Sequence, residues 1–319
     1  MKHRLISYFT ATFLVVTLLP SMTLHAAPYA AVVMDARNGK IYHSRNADTR
    51  LHPASLTKMM TLYVAFQAIE NNEISLDSYV TISRNAAAEP PSKIWLKRGQ
   101  KIKLRYLIRA AAIKSANDAA TAIGEAISGS EANFSKRMTR TARAMGMSRT
   151  TFKNAHGLTR AGHLSTARDM TILGRHMIYD YPQYYNLFSR RSADAKVRKV
   201  NNTNRRFLAA YRGADGIKTG YTRAAGFNLV ASAERGGKRI VATMFGGSST
   251  AARNKRVAQL LDMGFKRAPS TAKLQRPSLP RYHQNESEPS GKTLRLVTAV
   301  KRSLRPKMRP FGEASAPGD

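Results

Sequence analysis

Gly216-Ile217-Lys218-Thr219-Gly220-Tyr221-Thr222 reads as a β-strand that carries chemistry as well as structure. Its Lys-Thr-Gly is the only one in the chain. Lysine offers a cation, threonine a hydroxyl, and glycine, without a Cβ, lets a substrate backbone approach the strand closely. Downstream, residues 228–233 and 239–245 read as two more strands joined across Glu234-Arg235-Gly236-Gly237. Far upstream, Ala30–Asp35 and residues 40–43 alternate around Arg37-Asn38-Gly39, the pattern of a hairpin with an Asn-Gly turn. Helical periodicity fills the interval, over residues 55–69 (Leu56, Met59, Met60, Tyr63 and Val64 at core spacing), 104–113, 117–127 and 165–178. Strands at both ends with helices between them predict an α+β fold. The expected sheet is antiparallel and five-stranded, its first and last strands meeting, flanked by helices and accompanied by an all-helical subdomain.

The chain has 319 residues, 53 Lys+Arg against 19 Asp+Glu for a net charge of +34, and no cysteine. Disulfides, thiolate metal sites and cysteine nucleophiles are thereby excluded. Met1-Lys2-His3-Arg4, a largely apolar run over residues 5–19, Pro20 and the small-residue stretch at Ala26-Ala27 form the pattern of a secretory signal over residues 1–26. Pro20 and His25 interrupt it before the ~20 apolar residues that a membrane span needs. An exported protein, in the periplasm or on the wall side of the cytoplasmic membrane, meets little nucleic acid. The charge therefore points toward an anionic polymer or surface, and no nucleic-acid partner is expected.

Removing +2 for residues 1–26 and +8 for residues 266–319 leaves +24 on residues 27–265, so the body itself is cationic. Seven of the 13 prolines fall after residue 265, and 266–290 reads as a linker or disordered stretch in a basic, Pro-rich tail. Leu294, Val297, Val300 and Leu304 then recur at helical spacing among Arg295, Lys301, Arg302 and Arg305. Residues 292–305 read either as a basic amphipathic helix in peripheral membrane contact or as a solvated tail.

Ser55-Leu56-Thr57-Lys58 places a hydroxyl and an amine on one face at the start of a helix. A serine is a poor nucleophile until a base takes its proton, and a lysine of lowered pKa can do so. The free N–H groups of a helix start favour the negative charge that develops in such a reaction. Alone the spacing means little: Ser270-Thr271-Ala272-Lys273 repeats it in the tail with no helix behind it. Ser-x-Asn occurs three times, and only Ser115-Ala116-Asn117 falls between two predicted helices.

Ser-x-x-Lys, Ser-x-Asn and Lys-Thr-Gly, in this order and on these elements, resemble the motif set of penicillin-binding proteins and class A β-lactamases. The chain is most similar in pattern to the low-molecular-mass penicillin-binding proteins that act as serine-type D-alanyl-D-alanine carboxypeptidases. Further blocks carry the likeness: Asn154-Ala155-His156-Gly157-Leu158, Ser165-Thr166-Ala167-Arg168-Asp169-Met170, Asn201-Asn202-Thr203-Asn204 and Asp215 through Thr222. The resemblance covers about residues 27–265. It implies a β-lactamase/transpeptidase-like fold, peptidoglycan D-Ala-D-Ala peptides as substrate, β-lactams as inhibitors, no cofactor and no metal. By it, Ser55 attacks the carbonyl between two terminal D-alanines and forms an acyl-enzyme that water hydrolyses. Lys58 is then the base, and Ser115 relays a proton between Lys58, Lys218 and the leaving amine. Asn117 holds the peptide amide, Lys218 and Thr219 bind the terminal carboxylate, Gly220 belongs to the substrate-binding strand, and the N–H groups of Ser55 and Tyr221 form the oxyanion hole. Physical chemistry supports the base: if Lys58 and Lys218 face one pocket, each disfavours the other's charge.

The chain departs from the family where an arginine often follows the glycine pair after the last core strand. Here Ser248 follows Gly246-Gly247, and Arg253 lies in the next helix. Residues 266–319 are also too short and proline-rich for the C-terminal β-sandwich of several relatives. No Glu-x-x-Leu-Asn segment supports a class A β-lactamase. His156 reads as a loop or structural histidine, without an HExxH or other close histidine pair to suggest a metal; Asp169 reads as a local helix cap or pair. The basic run from Arg190 to Arg206 reads as a solvated strand face or as an electrostatic guide for anionic glycan. Endopeptidase action on cross-links, and a non-catalytic wall-binding role on the same fold, remain open alternatives.

Overall fold

The computed structural model describes residues 28–280. Residues 1–26, read as a secretory signal, and the 292–305 segment lie outside the described residues. In chain order the strands and helices are β1 (Ala30–Asp35), β2 (Ile41–Arg45), α1 (Thr57–Glu70), β3 (Tyr79–Thr81), α2 (Arg84–Ala88), β4 (Lys101–Lys103), α3 (Leu104–Arg109), α4 (Asn117–Ser128), α5 (Glu131–Ala144), α6 (Ala167–Tyr179), α7 (Pro182–Tyr185), β5 (Ser192–Asp194), β6 (Lys199–Asn201), α8 (Arg205–Ala210), β7 (Ala214–Thr222), β8 (Gly226–Arg235), β9 (Lys238–Gly247) and α9 (Thr250–Arg267).

The main sheet is antiparallel and five-stranded, ordered β2-β1-β9-β8-β7. The N-terminal hairpin and the C-terminal meander thus join through β1 and β9, as expected. Every residue of β1 is buried, and Ala30 to Met34 are apolar on both faces, as a strand covered on both sides requires; its last residue, Asp35, is buried in a pair with Arg37. Ala31, Val33, Leu229, Ala231, Ile240 and Ala242 pack with Val257, Leu260 and Leu261 of α9. Ala30, Val32, Val230 and Val241 belong instead to the core shared with α1 and α6. Twelve of the 14 residues of α1 are buried; a helix apolar nearly all round is a central one. The helical subdomain of α2 to α5 packs against this helix, with the small β3–β4 hairpin beside it.

Element boundaries shift at functional places. The first expected helix opens as a 3-10 turn, Ala54–Leu56, before α1. The expected helix over 104–113 is α3 followed by a π turn, Ala110–Lys114, which ends at Ser115 in a left-handed conformation. Helix α6 starts two residues later than expected because the Thr166 side chain caps it, accepting from Asp169 N at 3.0 Å. The Asp169 carboxylate does not cap or pair within its own helix: it accepts from Thr150 Oγ1 at 2.6 Å and Arg149 N at 3.1 Å, tying α6 to the loop after α5. Helix α9 crosses the expected boundary at 265. Residues 268–280, the described part of the chain after it, form no helix or strand but lie against the body: Arg37 donates to the carbonyls of Pro269 and Ser270, and Gln275 N donates to Arg37 O at 2.8 Å.

Candidate active site

Three elements converge on one cleft of about 280 Å³, lined by Ser55 of the 3-10 turn, Ser115 and Asn117 before and at the start of α4, and Thr219, Tyr221 and Thr222 of β7. The 3-10 turn packs directly on β7. A Cβ on Gly220 would lie 2.9 Å from Pro53 O and 3.2 Å from Ser55 N. Gly220 is therefore needed for the approach of the nucleophile's own backbone, a tighter constraint than the substrate approach read from sequence.

Beneath the cleft Lys58 is fully buried. Its Nζ lies 2.7 Å from Asn117 Oδ1, 2.7 Å from the His156 carbonyl and 3.2 Å from Ser55 Oγ. Burial first, and the Lys218 charge second, hold the amine well below the usual lysine range against the weaker upward pull of Glu89 and Asp118. A neutral amine has two N–H donors and one lone pair. The two carbonyl oxygens take the donors, and the lone pair is left for the Ser55 hydroxyl. That is the geometry of a serine with its general base.

Lys218 is also buried, and burial with the nearby Arg253 brings its pKa down to about 7. Its Nζ donates to the Thr219 carbonyl at 3.0 Å. The Thr219 hydroxyl donates to Thr203 Oγ1 at 2.8 Å, and Thr203 lines the cleft. Asn117 Nδ2 donates one hydrogen to Pro90 O at 2.8 Å, which leaves the other for a ligand. The Ser115 hydroxyl is buried with no hydrogen-bond partner among the described residues, so the expected link to either lysine is not formed here.

The shell behind these groups went unassigned from sequence. Asn154 clamps the 154–158 loop, accepting from Gly157 N at 2.6 Å and donating to Leu158 O at 2.9 Å. Gly157 sits at φ +92, and a Cβ there would fall 1.9 Å from Ala54 O. Buried His163, pushed to about 3 chiefly by burial, is neutral: its Nδ1 accepts from Lys153 N at 3.0 Å and its Nε2 bonds Thr57 Oγ1 at 2.8 Å. His156 is structural, as expected, but in company. Glu89, Glu131 and His156 bring ligand-type atoms within 4.8 Å of one another. His156 Nδ1 accepts from Leu158 N at 3.1 Å, so its proton sits on Nε2, facing Glu89 Oε2 at 3.3 Å and Glu131 Oε1 at 3.5 Å. A metal ligand would need the opposite tautomer, which puts two N–H groups against each other. The trio is better accounted for as a hydrogen-bonded brace on the loop whose carbonyl holds Lys58.

The departure from the family pattern also has a place. Arg253 is 3% exposed, with hydrogen bonds from its side chain to Asn254 Oδ1 at 2.8 and 3.1 Å, and burial lowers its pKa to about 10. It lines a second cavity of about 200 Å³ with Thr203, Asn204, Arg205, Arg206 and Thr250. Thr203 borders both cavities, and the Arg205–Arg206 end of the basic run contributes to the second rather than only facing solvent.

Residues 19–249 match the family model described as D-alanyl-D-alanine carboxypeptidase. The chain is similar to the D-alanyl-D-alanine carboxypeptidase DacF of Bacillus subtilis, 38% identical over 241 residues that cover 74% of this chain and 61% of the relative. It is 36% identical to DacC of Escherichia coli over 243 residues, again 74% and 61% of the two chains. Among solved structures, penicillin binding protein 5 from Haemophilus influenzae superimposes with a TM-score of 0.72 at 35% identity, covering 76% of this chain and 72% of that one. Penicillin-binding protein D2 from Listeria monocytogenes, solved with ampicillin bound, gives a TM-score of 0.68 at 35% identity, covering 77% and 100%. The matches span 61% of the length of these two curated relatives.

Proposed function

The chain belongs to the D-alanyl-D-alanine carboxypeptidase family, and from that premise we propose that it is itself a serine-type D-Ala-D-Ala carboxypeptidase, acting outside the cytoplasm on peptidoglycan stem peptides and acylated by β-lactams. The observation that carries this reading is the three-oxygen cradle of Lys58, which directs a buried amine, held well below the usual lysine range, at Ser55.

In the first step Lys58 takes the Ser55 proton as Oγ attacks the carbonyl of the penultimate D-alanine. The oxyanion forms against the N–H groups of Ser55 and Tyr221, each such donor being worth ~2.7–4 kcal/mol. Asn117 offers its remaining N–H to the peptide carbonyl on the acyl side. The terminal carboxylate enters at Thr219 and protonated Lys218, with the Arg253 charge acting from the adjoining cavity that Thr203 also borders; Arg253 takes the place of the family arginine missing at Ser248. As the tetrahedral centre collapses, the C–N bond breaks and the leaving amine takes a proton. Ser115, unpartnered at the cleft, is positioned to bridge that transfer from the Lys58 ammonium. Water then attacks the acyl-enzyme, Lys58 again accepting a proton, and Ser55 is released.

Two measurements test this. Fluorescent penicillin labels the wild type at Ser55, and a folded Lys58→Arg variant stays unlabelled, because a guanidinium cannot act as the base; full labelling of that variant would refute the assignment. Free D-alanine released from a pentapeptide, compared with cleavage of cross-linked dimers, separates carboxypeptidase from endopeptidase action, and no labelling of folded wild type favours a non-catalytic binder.

A further inference from the structure

The chain contains one tryptophan, and it is Trp95, 57% exposed. Its backbone has φ +67, a conformation that bulky residues adopt only when the surroundings enforce it. The enforcement is visible on both sides. Ile94 N and Leu96 N both donate to Asp118 Oδ2 at 3.1 Å, and Asp118 is fully buried next to Asn117. Earlier in the loop, Pro90 O accepts from Asn117 Nδ2 and Ser92 O accepts from Asn117 N at 2.6 Å. Lys93 Nζ is pinned by the carbonyls of Ala87 and Glu89 at 2.9 and 2.8 Å and stands 4.9 Å from the indole centroid. One of its three donors remains free.

A large apolar ring thus stands in solvent on a tied-down backbone beside a fixed cation, on a loop whose Pro91 and Ser92 form a wall of the catalytic cleft. Three residues of extended chain separate Ser92 from Trp95, about 10 Å at most. Neither core packing nor folding calls for this exposure, since Ile94 and Leu96 on either side supply the buried contacts.

We propose that Trp95 and Lys93 form a distal subsite for the acyl-side portion of an acidic peptide substrate, the indole covering an aliphatic segment and the ammonium meeting a carboxylate. This rests on the carboxypeptidase reading, which puts the leaving-group carboxylate at Thr219 and Lys218. The peptide must then leave the cleft past Asn117, and Asn117 is bonded to the loop that ends at Trp95. The subsite makes the enzyme selective for long stem peptides over dipeptide mimics without touching the chemical step.

The test uses the full chain, in which all tryptophan fluorescence reports Trp95. A Ser55→Ala variant, which binds without turnover, is titrated with an acetylated pentapeptide ending in D-Ala-D-Ala and carrying internal carboxylates, and with N-acetyl-D-Ala-D-Ala. The pentapeptide is expected to change the emission saturably, and the short mimic to leave it unchanged. On the otherwise wild-type chain, Trp95→Ala is expected to lower kcat/KM for the pentapeptide roughly tenfold through KM, the effect of losing one aromatic anchor, while kcat/KM for the mimic and the rate of penicillin acylation stay the same. Lys93→Met is expected to remove the part of the salt dependence of pentapeptide KM that exceeds that of the short mimic. Unchanged emission with the pentapeptide, or equal losses on long and short substrates in Trp95→Ala, would overturn the subsite. Failure of penicillin and both peptides to react with wild-type Ser55 would instead overturn the reading on which it rests.

Discussion

Replacing Gly220 by alanine probes whether the nucleophile is positioned by the strand behind it. Gly220 lies within β7 in backbone that an alanine adopts without strain, so the substitution acts through its Cβ alone. That atom would stand 2.9 Å from Pro53 O, 3.2 Å from Ser55 N and 3.3 Å from Ala54 Cβ. Comfortable contact begins near ~3.5 Å, so the turn must retreat by about half an ångström. The closest neighbours are backbone atoms and have no rotamer to change. Overpacking of this size costs ~1–3 kcal/mol of stability. The catalytic cost is the sharper one, because a ~1 Å misplacement lowers a rate about 10²-fold, and loss of one oxyanion donor lowers it ~10²–10³-fold. A half-ångström retreat of Ser55 is expected to slow acylation by about 10- to 100-fold. The assay is the second-order rate constant for fluorescent penicillin, with folding confirmed by a thermal melt. Acylation within twofold of wild type in a folded variant would show that Gly220 does not set the Ser55 position. Gly157→Ala is the contrasting control: at φ +92, with a Cβ 1.9 Å from Ala54 O, it is expected to lose the fold of the 154–158 loop before any rate can be interpreted.

Asn117→Asp puts a charge 2.7 Å from Lys58 Nζ in place of a neutral carbonyl and should convert the base to an ammonium, abolishing acylation at pH 7 with partial recovery at higher pH; stopped-flow acylation across pH reads this directly. In the wild type, kcat/KM for a peptide with a free terminal carboxylate is expected to fall as pH rises through about 7, where Lys218 loses its proton, and to fall in acid as Lys58 gains one. Arg253→Gln should move the alkaline limb upward, since the Arg253 charge helps depress Lys218, and should cost about tenfold in kcat/KM on that peptide but little on its methyl ester. His163 is neutral in the fold and ionises near 6.5 when unfolded, so the unfolded chain binds the extra proton and stability drops as pH falls from 6.5 toward 3. His163→Ala should cost ~1–3 kcal/mol in urea unfolding by orphaning Thr57 and Lys153 N, and should shallow that acid slope.

What was legible in the sequence was what repeats locally. The Asn-Gly hairpin, the three C-terminal strands and the Ser55–Lys58 pair all lie within a few residues of one another, so spacing reports their geometry. Helix α5 went unread, and α9 was expected only as a helix holding Arg253, without bounds, although Ser130 and Ser249 cap them, accepting from Asn133 N and Ala252 N. Both are rich in charge and their apolar stripe is thin, which hides a period that a cap alone could have started. The Thr203–Thr219 contact and the His163–Thr57 bond, 106 residues apart, exist only once distant segments have packed together, whereas the Asn154 clamp is local but carries no periodic signal. Gly220 was noticed for the right property, absence of a Cβ, but its neighbour is the turn carrying Ser55, a relation that no local spacing encodes.

The net charge of +34 and the chemistry at Lys58 obey opposite rules. On the surface, cations are solvated and screened, and they can accumulate cheaply toward an anionic polymer. Inside, the base must stay uncharged, so no carboxylate may hydrogen-bond it. Two carboxylates stand near enough to pull its pKa upward, and both are committed elsewhere. Glu89 accepts from Thr121 at 2.9 Å and faces His156, and Asp118 accepts from the backbone amides of Ile94, Leu96 and Ala119. Lys58 is left with neutral oxygens only, two of them positioned to take its hydrogens. The same Asp118 that is kept from pairing with Lys58 holds the loop bearing Trp95, so one buried carboxylate serves the neutrality of the base and the rigidity of the cleft wall together.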